Sequence, residues 1–133
     1  MKQSLVILFS AFLLSCGGEG EKATNGDEKK DETTGSTLPK GITQADYDKG
    51  LSLVASSDCL TCHQIKEKLT GPSYAEIAEK YEPTKENITL LAGKIINGGS
   101  GVWGTVPMTP HDGLSQEDAE AMVKYVLSLK NAQ

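Results

Sequence analysis

The sequence predicts an all-α domain of about four helices. Three observations carry that expectation. Apolar residues recur at helical spacing in four stretches between residues 42 and 130. Three of those stretches open on Ser or Thr followed three residues later by an acid, at Thr43-Asp46, Ser73-Glu76 and Ser115-Asp118, the pattern of a capping box. No alternating apolar–polar run of useful length suggests a strand.

The first helix is expected to start at Thr43 and to end near Ser56-Ser57-Asp58, with Ile42, Tyr47, Gly50, Leu51 and Val54 at helical spacing. Gly50 in its interior costs ~1 kcal/mol against Ala, which a close helix–helix contact would explain. The second helix opens at Ser73, runs from Tyr74 to Tyr81 and stops before Pro83. The third covers Glu86 to Ile96 with Ile88, Leu91, Ala92 and Ile95 inward, and Asn97-Gly98-Gly99 ends it. The last, after Ser115, carries the stripe Ala119, Met122, Val123, Val126 and Leu129, with Tyr125 beside it. It is expected to cross the first helix, with Gly50 admitting Tyr125 or Val126.

Between the first two helices stands Cys59-Leu60-Thr61-Cys62-His63, a c-type haem attachment motif. Two thiols three positions apart reach the two vinyl groups of one haem and form thioethers. The adjacent His63 then supplies an imidazole to the iron. Pro72 has no N–H but keeps its carbonyl, an acceptor for the second ring nitrogen of His63 that would fix its tautomer. The stretch from Gly98 to His111 is a long loop rich in Gly and Pro, and such a loop inside a small domain is usually functional. It presents Met108 between Pro107 and Pro110, a stiff setting for a thioether ligand on the far side of the iron. A zinc site made of Cys59, Cys62, His63 and His111 is a poorer reading, because adjacent Cys62 and His63 reach one ion only with difficulty.

Composition fits this reading. The chain has 133 residues, room for one domain and tails, with 38% hydrophobic and only 5% aromatic residues. That is a thin core, and a bound macrocycle adds apolar volume. The net charge is −5 and no Arg is present, which speaks against a nucleic-acid partner. Three Cys argue against a closed disulfide framework.

The third Cys belongs to the N-terminal segment. Lys2 precedes an apolar run of about ten residues, Leu5 to Leu14, too short to span a bilayer as a helix and suited to a secretory signal. Leu13-Leu14-Ser15-Cys16 resembles the lipobox of bacterial lipoproteins, in which the signal is cut before the Cys and the Cys carries the lipid. Residues 1–15 are thus expected to be a signal peptide and Cys16 a lipidation site. Residues 17–40 contain almost no large apolar side chain and read as a flexible acidic and polar tether. The domain proper is expected over 41–133, exported and held at a bacterial membrane, facing the periplasm or the cell surface.

The region from about Ile42 to Lys130 resembles the class I cytochromes c, and within them the small bacterial c551/c8-like group. The resemblance rests on Gly50 and Val54 before Cys59-x-x-Cys62-His63, then Gly71-Pro72-x-Tyr74, Ile77-Ala78-x-Lys80-Tyr81, Lys94-Ile95-x-Asn97-Gly98, Gly101-Val102-Trp103-Gly104, Val106-Pro107-Met108-x-Pro110 and Leu114-Ser115. It implies one covalent haem c, ligated from opposite faces by His63 and Met108, with Pro72 supporting the histidine and Trp103 bonding a propionate. Lys94 stands where that group often has a propionate-facing Arg, and a Lys offers a point charge in place of a fork. His111 stands where an Asn often holds the Met sulfur, and is an alternative ligand to Met108.

A haem iron with both axial positions filled has no open place for a substrate, so the expected function is one-electron transfer with redox partner proteins and not catalysis. Lys66 and Lys68 are placed to steer an acidic partner. A peroxidase needs an open site, and the chain has a single CxxCH. The alternative function is a haem-based sensor in which a gas molecule displaces Met108.

Overall fold

The computed structural model describes residues 37–130. The signal segment, Cys16 and the tether up to residue 36 lie outside the described residues.

Four helices form, with no strand among the described residues: α1 Gln44–Ala55, α2 Tyr74–Lys80, α3 Lys85–Asn97 and α4 Gln116–Leu127, plus a 3-10 turn at Cys59–Thr61. This is the predicted all-α class. Thr43 and Ser73 each build a full capping box, the side chain accepting from the N3 backbone while the N3 acid takes the cap's own N–H. Two starts differ from expectation. α3 begins earlier, because Thr84 caps it by accepting from Asn87 N at 3.3 Å. At α4 Ser115 accepts from Asp118 N at 3.1 Å. The carboxylate of Asp118 bonds the Ser115 hydroxyl at 2.8 Å and lies 3.0 Å from Lys49 Nζ, and no reciprocal bond to the cap backbone forms.

α4 is the spine. One side of it packs Ala119, Val123 and Leu127 with Ile42, Ile88 and Ala92; the other packs Met122, Tyr125, Val126 and Leu129 with Val54 and Tyr74. α1, α2 and α3 all pack against it. The α1 crossing is the tightest point. A Cβ on Gly50 would lie 2.2 Å from Ala121 O and 2.6 Å from Tyr125 Cβ, so only glycine lets the helices approach this closely. The close approach foreseen at Gly50 is therefore to Ala121 and Tyr125, one turn apart on α4. Lys124 donates to Asp46 at 2.7 Å and Lys49 to Glu117 at 2.7 Å across the same crossing.

α3 ends on Gly98, whose φ of 71° lies in the left-handed region that favours glycine, and whose N–H returns to Lys94 O at 2.9 Å. The two segments 57–72 and 98–114 leave the helical frame as loops. No helix among the described residues is long and apolar enough to cross a membrane.

Candidate haem site

The Cys59–His63 turn is wound tightly on itself. Cys62 N and His63 N both donate to Cys59 O, at 3.2 and 3.0 Å, and Thr61 N donates to Asp58 O at 3.0 Å. No disulfide joins Cys59, which is half-buried, to Cys62, which is exposed. Burial pushes the Cys59 thiol up from its ordinary range, and the neighbouring charge of Asp58 adds to this.

His63 is held from three sides. Its Nδ1 lies 2.7 Å from Pro72 O. A carbonyl only accepts, so Nδ1 carries the proton and Nε2 is left with its lone pair free. The ring stacks on Tyr74, with centroids 5.6 Å apart and planes at 20°. A Cβ on Gly71 would lie 2.5 Å from His63 Cε1, so at the third contact any larger residue would push the ring aside. The loop is fastened beneath by Gly71 N to Cys62 O at 2.9 Å and Tyr74 N to Gln64 O at 2.9 Å.

Met108 sits on the other loop, half-buried. It pairs with Gly99 as an isolated antiparallel bridge, donating to Gly99 O at 2.9 Å and accepting from Gly99 N at 3.4 Å. Lys94 lies along Gly99, its Nζ 3.2 Å from where a Cβ there would stand. Trp103 is exposed on the same loop with Lys80 Nζ 5.5 Å from its ring centroid, a cation–π contact that fastens the loop to α2. His111 turns its Nε2 to Asp58 Oδ1 at 2.9 Å, beside Cys59. Its other ring nitrogen, Nδ1, is buried without a hydrogen-bond partner.

The structure thus gives His63 its supporting carbonyl and brings the Met108 loop to the Cys59 turn through His111. Sequence reasoning missed the stacking role of Tyr74, the Lys80–Trp103 contact and the Asp58 partner of His111. Tyr74 stood within the Gly71-Pro72-x-Tyr74 match, the one signal available. The residues of the zinc reading do not gather: no group of three or more metal-ligating side chains occurs among the described residues.

Two features test whether a haem fits here. The donor set is two thiols, an imidazole with a free Nε2 and a thioether, the chemistry of a covalently held, axially ligated iron porphyrin. The segments on either side leave Leu60, Ile65, Leu69, Val102, Trp103 and Val106 exposed, large apolar side chains that the helices do not cover. The residues fit the group.

Comparison with known proteins agrees. The Cytochrome c family model matches residues 47–130. The cytochrome c-552 of Nitrosomonas europaea is 43% identical over 93 residues, covering 70% of this chain and 86% of that protein. The cytochrome c-552 of Hydrogenobacter thermophilus is 44% identical over 78 residues, 59% of this chain and 79% of that one. The crystal structure of wild-type Nitrosomonas europaea cytochrome c552 superposes with a TM-score of 0.55 at 42% identity, covering 59% of this chain and 98% of that one. The chain belongs to the cytochrome c family, in its small bacterial class I group, and is an electron carrier with one covalently bound haem c.

Proposed function

We propose that this protein is a membrane-tethered one-electron carrier in which Cys59 and Cys62 hold the haem as thioethers and His63 Nε2 and the Met108 thioether are the axial ligands. The observation that carries the ligand assignment is the His63–Pro72 bond, in which Nδ1–H donates to the carbonyl and Nε2 is left free for a metal. When bound, the haem supplies an Fe(III)/Fe(II) couple, and a thioether ligand favours the reduced state relative to a second imidazole. The protein's part is to hold both ligands in one place through the cycle. Pro72, Tyr74 and Gly71 fix the imidazole, while the Gly99 bridge and the flanking prolines stiffen the Met108 loop. Trp103 and Lys94 are assigned to the propionates, with Lys94 as a point charge.

The lipid reading rests on Leu13-Leu14-Ser15-Cys16 and on the polar spacer behind it. A lipid on Cys16 and a tether of residues 17–40 would hold the domain within a few tens of Å of the bilayer, at ~5–6 Å × √n for a flexible chain. Residues 1–15 are then the export signal, and 41–133 the haem domain on the periplasmic or cell-surface side. Redox partner proteins would dock where the apolar loops surround the haem edge, and exposed Lys66 and Lys68 favour an acidic partner there.

Optical spectroscopy tests the ligands. Ferric wild-type protein is expected to show the weak long-wavelength band of Met–iron ligation, lost in Met108→Ala and kept in His111→Ala. A high-spin ferric spectrum in the wild type would refute the closed, six-coordinate carrier. Fractionation tests the anchor: Cys16→Ser should move the protein from the membrane to the soluble fraction, and a wild type already soluble rules the tether out while leaving the carrier intact.

A further inference from the structure

We infer that Asp58 and His111 form a clamp that positions the Met108 loop on the Cys59–His63 turn, so that the grip on Met108 comes through the backbone and not from a side chain on its sulfur. This rests on Met108 being the axial ligand, as proposed above.

Both members are anchored before they meet. Asp58 adjoins Cys59, and its carbonyl accepts from Thr61 N at 3.0 Å and Thr61 Oγ1 at 2.7 Å, making it part of the turn. His111 follows Met108 by three residues. Its N–H points at Ile95 O and Ile96 O, at 3.0 and 3.2 Å, and its carbonyl takes Leu114 N at 3.0 Å. The main chain after Met108 is therefore pinned to the end of α3, while the main chain at Met108 is pinned to Gly99. The imidazole then reaches 2.9 Å to Asp58, a contact between residues 53 apart. Among the described residues no other hydrogen bond joins the loop 98–114 to the turn that carries the two cysteines and His63.

The ring's own state supports a tie over a mere filler. A carboxylate accepts, so Nε2 carries a proton toward Asp58. Nδ1 is buried without a partner, a cost that an apolar side chain in this position would avoid. The Asp58 carboxyl is held below its ordinary range, chiefly by the bond from His111. Asp58 is 71% exposed, so solvent screens the pair and limits its strength to that of one ordinary hydrogen bond.

The test is displacement of Met108 by imidazole in the ferric holoprotein, followed by loss of the long-wavelength band, alongside the midpoint potential. His111→Ala and Asp58→Ala are each expected to lower the half-displacing imidazole concentration about threefold to tenfold, the equilibrium equivalent of one net hydrogen bond. The double variant should lose no more than either single one, because the two act as a unit. His111→Gln, which keeps a donor of similar reach, should recover most of the effect and return the potential toward wild type. Lys124→Ala, which breaks the Lys124–Asp46 ion pair in the helical frame, should leave the imidazole midpoint unchanged. Additive losses in the double variant, or an imidazole midpoint in His111→Ala equal to wild type, would overturn the clamp. A wild type without the long-wavelength band would instead overturn Met108 as ligand, and the clamp with it.

Discussion

The α1–α4 crossing and the two loops that carry the haem residues are built from opposite materials. At the crossing, Val54 is 3% exposed, Met122 1% and Tyr125 4%. On the loops, Val102 is 57% exposed and Val106 60%. The crossing derives its shape from packed apolar side chains and a glycine contact. The loops derive theirs from backbone hydrogen bonds, prolines and glycines, and leave their apolar side chains uncovered. The difference teaches where each part finds its stability: the frame is closed by its own residues, whereas the site is completed by the group it binds. A series of rings joins the two. Tyr47 meets Tyr125 edge-on at 5.2 Å, Tyr125 meets Tyr74 edge-on at 6.5 Å, and Tyr74 stacks on His63.

The sharpest way to break the frame alone is Gly50→Ala. The added Cβ would stand 2.2 Å from a backbone oxygen, which no side-chain rotation can relieve. We expect a loss of about 3 kcal/mol in denaturant unfolding of the holoprotein, at the upper end for overpacking. The spectrum of the folded fraction should stay that of the wild type. A variant as stable as wild type would mean that the helices can slide apart freely, and the rigid-frame side of the comparison would fail.

Gly71→Ala makes the converse cut. Its Cβ would strike the His63 ring at 2.5 Å, and the ring can yield by tilting. The expected stability loss is smaller, about 1–2 kcal/mol, but the change should be visible at the haem. Tilting the ring lengthens the Nδ1–Pro72 bond and weakens the imidazole's donation, so the α band and the midpoint potential should both shift. An unaltered potential would show that His63 is held without Gly71.

What was legible in the sequence follows the same division. The caps at Thr43 and Ser73 were readable because donor and acceptor lie three residues apart. Thr84 was missed because its third following residue is Asn87, which gives the cap without the box. Ser115 gave a box pattern that was only half built, since Asp118 also meets Lys49 from α1, a partner no local pattern reveals. Within the site, CxxCH, Pro72 and Met108 announced themselves by residue type and spacing. His111 was noticed as a departure, yet its partner Asp58 lies 53 residues away and carries no local signal. Tyr74 was readable only as the start of the second helix and as part of the Gly71-Pro72-x-Tyr74 match; the fold shows that it is buried and that its face meets His63.

The smallest expected effect tests whether charge adds anything to the frame. Asp46 is held down to about 2 from an ordinary 3.8, first by the bond from Lys124 and then by those from Thr43. A carboxyl with a depressed folded-state pKa contributes stability that is complete above its unfolded value and is lost as pH falls through the folded one. The Asp46 contribution is therefore present in full above pH 3.8 and disappears on acidification toward pH 2. Lys124→Ala removes the main cause, so Asp46 should titrate closer to its ordinary value, with the Thr43 bonds still holding it slightly low. Both partners are about three-quarters covered, which places the loss at neutral pH near the upper end for ion pairs, about 1 kcal/mol. The two stability curves should converge as pH approaches 2, where the wild type has lost the same bond by protonation. Curves that stay parallel down to that pH would trace the loss to the packing of the Lys124 stem and not to its charge. The crossing would then owe its stability to apolar contact alone, and the contrast with the polar-tied loops would be stronger still.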